Sequence, residues 1–293
     1  MSEAIAAVVF DLDGVLVASE SVWDAARREV VARNGGRWQA DATRAMMGMS
    51  SQEWSSYLHD QLGVPLEPER INELVVAALL DQYRRRLPLL PGAVVAVRRL
   101  AERWPLGLAS SANRPVIDAV LERAGIADCF AITVSGEEVA AAKPAPDVYL
   151  TATRRLGVDP ADAAAVEDST NGLQAAAAAG MIVIASPNRE YPPEPDALAL
   201  AALIVESLDE LTPDAIESAA QRAHPSIGAE FETWCRFVLV ARLSMDRIDR
   251  PAQRPPCKIG MKNPNEKYVR TLAVVAAALV HFVGAKARDR DQG

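Results

Sequence analysis

Six short apolar runs punctuate this chain: Ala6 to Phe10, Pro105 to Ala109, Phe130 to Val134, Ala163 to Val166, Met181 to Ala185 and Ala202 to Val205. Each has strand length and is bounded by turn or polar residues. Helical patterns fill the intervals. Arg114 to Ala124 places Val116, Val120, Leu121 and Ala124 on one face, Asp147 to Leu156 forms a second helix, and Asn171 to Ala179 stops at Gly180. Strands that alternate with helices predict an α/β fold, a doubly wound parallel sheet of Rossmann type with helices on both faces. Sheets of that kind bind ligands just beyond the carboxyl ends of their strands.

Residues 17–87 break the alternation, because helical signals run through all of them. Ser21 to Arg33 is periodic and ends at Asn34-Gly35-Gly36. Ser51 to Leu62 stops at Gly63. Pro68 stands where a first helical turn tolerates proline, ahead of the apolar stripe Ile71, Leu74, Val75, Ala78 and Leu79. A helical insert after the first strand, rejoining the sheet at Pro88 to Gly92, is expected to be a cap on two hinges. The plainer alternative is that these helices only pad the sheet.

Charge divides the chain a second way. The net charge is −8 overall, −13 over residues 1–222 and +5 over 223–293. An acidic body repels anions at long range, so any phosphorylated ligand needs a local cation. The basic tail carries two further helical stretches, 229–248 and 265–287. Its apolar run Thr271 to Ala285, 15 residues long, falls short of the ~20 needed to span a bilayer. Its basic flanks would permit an interfacial helix, while a buried packing or dimer helix is the simpler expectation. Tail cations are interleaved with acids in no concentrated stripe, so no nucleic-acid partner is expected. Cys129, Cys235 and Cys257 match no metal-ligand spacing, and the N-terminus has no signal-peptide pattern. A cytoplasmic protein, monomer or homodimer, is the expectation.

Four polar clusters fall where such a sheet puts its crevice. Asp11-Leu12-Asp13-Gly14 follows the first run and Ser110-Ser111 the second. Lys143-Pro144 precedes a helix, and Glu167-Asp168-Ser169 follows the fourth run. Each taken singly is an ordinary turn, surface or capping sequence; their shared position at strand ends is what singles them out.

These four elements resemble the ordered motifs of the haloacid dehalogenase superfamily. They are Asp11-Leu12-Asp13-Gly14-Val15-Leu16, Ser110, Ala142-Lys143-Pro144 and Val166-Glu167-Asp168-Ser169-Thr170-Asn171-Gly172. More narrowly, they resemble its phosphatase and β-phosphoglucomutase-like branch, with a helical cap between the first and second motifs. The resemblance covers roughly residues 4–212 and implies a division into a core (1–16 and 88–222), a cap (17–87) and an extension of unknown role (223–293). It implies a magnesium-dependent hydrolase of small phosphate monoesters, sugar or polyol phosphates, working through an aspartyl-phosphate. Asp11 is then the nucleophile, and Asp13 the general acid and base. Ser110 and Lys143 bind phosphate. Asp11, Asp168 and the Asp13 backbone carbonyl hold Mg2+, with Glu167 and Asn113 in support. Dehalogenases of the superfamily lack the second aspartate, so Asp13 points to phosphoryl transfer.

A phosphosugar mutase is the rival within that resemblance. It carries a cap-loop arginine and a histidine about ten residues past the second aspartate, where this chain has Ser51 and Trp23. Losing a forked cationic clamp favours water as the acceptor. Glu20, Trp23, Gly48 and Ser51 are the candidates for reading the substrate. Where phosphatases of the branch have Asp, this chain has Ala18. A non-catalytic binding protein is the remaining alternative.

Overall fold

The computed structural model describes residues 5–46, 49–189 and 191–223. Gly48, Cys235, Cys257 and both tail helices expected above lie outside them. Among the described residues, no helix is long and apolar enough to cross a membrane.

Six strands form one sheet: β1 (Ala7–Phe10), β2 (Leu106–Ser110), β3 (Phe130–Ser135), β4 (Ala163–Glu167), β5 (Ile182–Ala185) and β6 (Leu203–Ile204). Their order is β3-β2-β1-β4-β5-β6, and every pairing is parallel. The chain winds outward from β1 to β3, then returns to the other side of β1 to begin β4. The direction of winding therefore reverses between β1 and β4, which is where the crevice of such a sheet opens. Strand β2 begins one residue later than the sequence suggests. Pro105 has no N–H for the ladder and offers only its carbonyl, to Val8 at 3.3 Å.

Side chains on these strands alternate between two unlike cores. Val8 and Phe10 of β1 and Ala164 and Val166 of β4 face a layer of larger residues. That layer is supplied in part by α5 (Ala93–Ala101) and α6 (Arg114–Ala124). Ala7 and Val9 with Ala163 and Ala165 face the opposite layer, built on α7 (Asp147–Leu156) and α8 (Thr170–Ala178). Alanine dominates there, so helix backbones can lie close to the sheet. Helix α5 had no separate expectation in the sequence. Its apolar stripe, Ala93, Ala96, Val97 and Leu100, follows directly on the Pro88 to Gly92 return.

The insert after β1 is helical, as its periodicity predicts: α1 (Glu20–Arg33), the single turn α2 (Ala42–Ala45), α3 (Ser51–Asp60) and α4 (Pro68–Arg85). Pro68 begins α4, where its missing N–H costs nothing. Ser50 and Glu53 form a reciprocal capping box at the start of α3, worth about 1 kcal/mol. The insert leaves and rejoins the sheet side by side. Val17 pairs with Leu89, and Ala18 N–H donates to the Pro88 carbonyl at 2.9 Å. Polar ties also cross from these helices to the sheet-bearing part. Asn113 Nδ2 donates to Asn72 Oδ1 (3.2 Å), Arg123 to the Arg84 carbonyl (2.8 Å) and Asn188 Nδ2 to Glu20 Oε1 (2.6 Å).

Candidate active site

Asp11 sits one residue past β1, Ser110 ends β2, Glu167 ends β4 and Asp168 follows it. Parallel pairing in register brings these strand ends together at one edge of the sheet. Lys143 reaches the same place from the loop before α7. Its ammonium donates to Asp11 Oδ1 at 2.6 Å, Glu167 Oε1 at 2.5 Å and the Ala109 carbonyl at 3.2 Å. A longer contact, 3.4 Å, runs to the Tyr149 hydroxyl. All three charged side chains are buried. Tyr149, on the first turn of α7, also donates to Glu167 Oε1, at 2.7 Å. The other Glu167 oxygen accepts from the Asp168 N–H at 3.0 Å. Glu167 is thus held on several sides and fixes Lys143 against Asp11.

The carboxylates of Asp11, Glu167 and Asp168 form a buried oxygen cluster, their nearest oxygens all within 4.8 Å of one another. Burial pushes the Asp11 carboxyl above its ordinary range. Lys143 opposes that rise, while Glu167 and Asp13 add to it. Asp168 is raised well above its usual value by burial first, then by Glu167 and Asp11. Burial alone would lower the Lys143 ammonium, but Asp11 and Glu167 outweigh it and hold it above its ordinary value. One ammonium facing three buried carboxylates leaves negative charge uncompensated. An all-oxygen donor set with that deficit fits a hard divalent cation such as Mg2+. The Asp13 side chain is not part of the cluster.

Two glycines make room for it. A Cβ on Gly14 would lie 1.9 Å from Asp168 Oδ2, and its φ of 77° is left-handed. A Cβ on Gly172 would lie 2.0 Å from the Glu167 carboxylate. Gly14→Ala is therefore expected to cost about 1–3 kcal/mol in backbone strain. It should also displace Asp168 and lower kcat/KM by roughly 100-fold. Denaturant melts and steady-state kinetics would measure the two effects separately, and unchanged kinetics would show that Asp168 can move without consequence.

Asp13 lies two residues beyond Asp11 in the same cleft. Trp23 Nε1 donates to its Oδ1 at 3.2 Å. Burial raises the Asp13 carboxyl, with the Trp23 hydrogen bond opposing. The cleft, about 180 Å³, is lined by Asp11, Asp13, Ser110, Lys143 and Asp168 on the sheet side. Glu20 and Trp23 line it from α1. Asn113 also borders it, as the residue preceding α6, and its Nδ2 reaches Asn72 and Glu137. Ser51 is not among the lining residues. It occupies the first turn of α3, whose start is fixed by the Ser50 and Glu53 box, and Trp54 faces the cleft instead. Among the lining or supporting residues not anticipated from sequence are Arg27, Trp54, Tyr149 and Asn188. Tyr149 carried one faint signal, a phenol on an otherwise aliphatic helix face six residues after Lys143.

Comparison with known proteins agrees with this geometry. The chain is 35% identical over 216 residues to hexitol phosphatase B of Escherichia coli, covering 71% of this chain and 95% of that protein. It is 30% identical to the fructose-1-phosphate phosphatase of the same organism, over 62% of this chain and 96% of the relative. Among solved structures, CbbY from Rhodobacter sphaeroides in complex with phosphate superposes with a TM-score of 0.64 at 30% identity, over 71% of this chain and 96% of that one. A β-phosphoglucomutase from Clostridium difficile reaches the same TM-score at 22% identity, over 74% and 98% of the two chains, a likeness of fold alone. The family profile described as haloacid dehalogenase-like hydrolase matches residues 5–180, more than half of the chain. With that match, the chain belongs to the haloacid dehalogenase-like hydrolase family.

Proposed function

We propose that the protein is a magnesium-dependent phosphatase that hydrolyses a small phosphate monoester through an aspartyl-phosphate on Asp11. The observation that carries this reading is the Asp11 carboxylate held at 2.6 Å by a buried lysine, in an acidic cluster open to a cleft beneath the helical insert. Asp11 and Asp168, with the Asp13 backbone carbonyl, would hold Mg2+, whose chemistry is to offset the charge of the phosphoryl oxygens. Glu167 is committed to Lys143 and Tyr149 and supports the site from behind.

Asp11 attacks phosphorus in line with the leaving oxygen, and the bond to that oxygen breaks. Lys143 and Ser110 neutralise and orient the transferring group. Asp13, held by Trp23, protonates the leaving oxygen and then takes a proton from the water that cleaves the aspartyl-phosphate. Phosphatase names among the relatives support water as the acceptor. Two sequence features point the same way: Ser51 and Trp23 stand where a mutase of this branch has its arginine and histidine.

The test is hydrolysis of an aryl phosphate and of a sugar or polyol phosphate by the full chain. Activity should vanish with chelator and return with Mg2+. Asp13→Asn should lower turnover of the alkyl ester by about 10²–10⁴-fold. It should do less to the aryl ester, whose leaving group departs without a proton. Chelator-insensitive hydrolysis would sink the metal assignment. Conversion of β-glucose 1-phosphate without phosphate release would replace water by a sugar as acceptor.

A further inference from the structure

Arg27 is the least explained residue of the cleft. It lies on α1 one turn beyond Trp23, so both project from one face of the helix. Its guanidinium carbon sits 5.1 Å from the Trp23 ring centroid and 5.0 Å from that of Trp54 on α3. The two indoles, themselves 6.0 Å apart, take up contact with the guanidinium through their rings. Its N–H groups remain. The Arg27 Nε is buried without an acceptor, and no carboxylate pairs with Arg27 among the described residues.

The neighbouring acids are otherwise engaged. Asp24 holds Arg28 and Thr43, and Asp13 is held by Trp23. Lys143, the other cation lining the cleft, is bound to Asp11 and Glu167. Burial accordingly pushes the Arg27 guanidinium down to about 10, with Asp13 and Asp24 opposing. An arginine that lines a ligand cleft and lacks an in-plane oxyanion is a binding group waiting for one. Hydroxyls would satisfy its N–H groups but not its charge.

We propose that Arg27, clasped by Trp23 and Trp54, is the specificity-determining residue of this cleft and binds a second anionic group on the far end of the substrate. This rests on the phosphatase reading above and narrows it. The substrate class becomes short phosphate esters whose tail ends in a carboxylate or a second phosphate, in place of neutral polyol phosphates. The tail is short because Asp13 and the Arg27 guanidinium both contact the one Trp23 indole.

Two measurements on the full chain test it. The first compares kcat/KM, with Mg2+, for an aryl phosphate, hexitol phosphate, phosphoglycolate and a sugar bisphosphate. Wild type should prefer phosphoglycolate or the bisphosphate to hexitol phosphate by at least about tenfold, and which of the two it prefers identifies the tail. Arg27→Gln should weaken use of the preferred ester by about 100-fold, chiefly in KM. That loss should exceed its effect on the aryl phosphate by at least about 30-fold. Arg27→Lys, a charge without the fork, should recover only part. The second measurement is calorimetric binding of the same esters to Asp11→Asn, with and without Arg27→Gln, which reads the site without turnover. Preference for hexitol phosphate, or an equal loss on all esters, overturns the proposal. Absent wild-type hydrolysis of the aryl phosphate tells against the phosphatase reading instead, and Arg27-dependent binding of the two-anion esters would still stand.

Discussion

Asp11→Asn is expected to reduce hydrolysis of every phosphate ester by at least roughly 10⁴-fold, because the proposed mechanism loses its attacking group. The substitution is nearly isosteric, and an amide oxygen can still accept from Lys143, now at 2.6 Å from Asp11 Oδ1. The fold should therefore persist while the chemistry stops. Removing the charge also relieves the crowding that raises the Asp168 carboxyl, since Asp11 is one of its causes. No phosphoryl adduct should accumulate on the variant in rapid-quench mass spectrometry, whereas wild type should carry one during turnover. Substantial residual activity in the purified variant, with a clean melt, would remove Asp11 from the reaction.

Lys143→Met should produce the second large effect, on stability as well as rate. Lys143 is bound within 2.6 Å to two carboxylates, and neither has comparable access to water. Truncating one partner of a buried ionic cluster leaves the others uncompensated, at a cost of about 3–5 kcal/mol. Turnover should fall by roughly 10²–10³-fold, because the proposed mechanism loses the cation that holds Asp11 and offsets the charge of the transferring group. A further signature separates this from simple loss of packing. Mg2+ added to the variant should raise its midpoint in urea by more than it raises that of wild type, since the cation then answers a larger charge deficit. A variant within about 1 kcal/mol of wild type in chelator would mean that the cluster protonates at little cost.

Much of the fold was legible because its signals are local. Strand-length apolar runs and stripes such as Val116, Val120 and Leu121 follow from backbone periodicity, and parallel pairing then carries Asp11, Ser110 and Glu167 to one edge. Asp168, one residue past β4, reaches the cleft for the same reason, while Lys143 enters it from the loop before α7. The substrate end of the cleft was not legible in this way. Trp54 meets Arg27 only because α1 and α3 cross where they do, and no spacing within either helix encodes that crossing. Ser51 illustrates the converse. Its place in a loop motif suggested a binding residue, but the Ser50 and Glu53 box starts a helix there and turns Trp54 inward. Asn188 pairs with a residue 168 positions away, which only the folded chain reveals.

The alanine-built side of the sheet has a consequence for how this protein can be probed. Ala7, Ala109, Ala163, Ala165, Ala175 and Ala176 are fully enclosed there, and each is already the residue that alanine scanning would install. Alanine scanning is therefore uninformative at these positions, and a map drawn from it would under-count this layer. Enlargement is the informative perturbation on this side. A single added branch at Ala165 must push a helix from the sheet, at about 1–3 kcal/mol. Strand β4 ends at Glu167, so that displacement would be transmitted along two residues of backbone to the group that anchors Lys143.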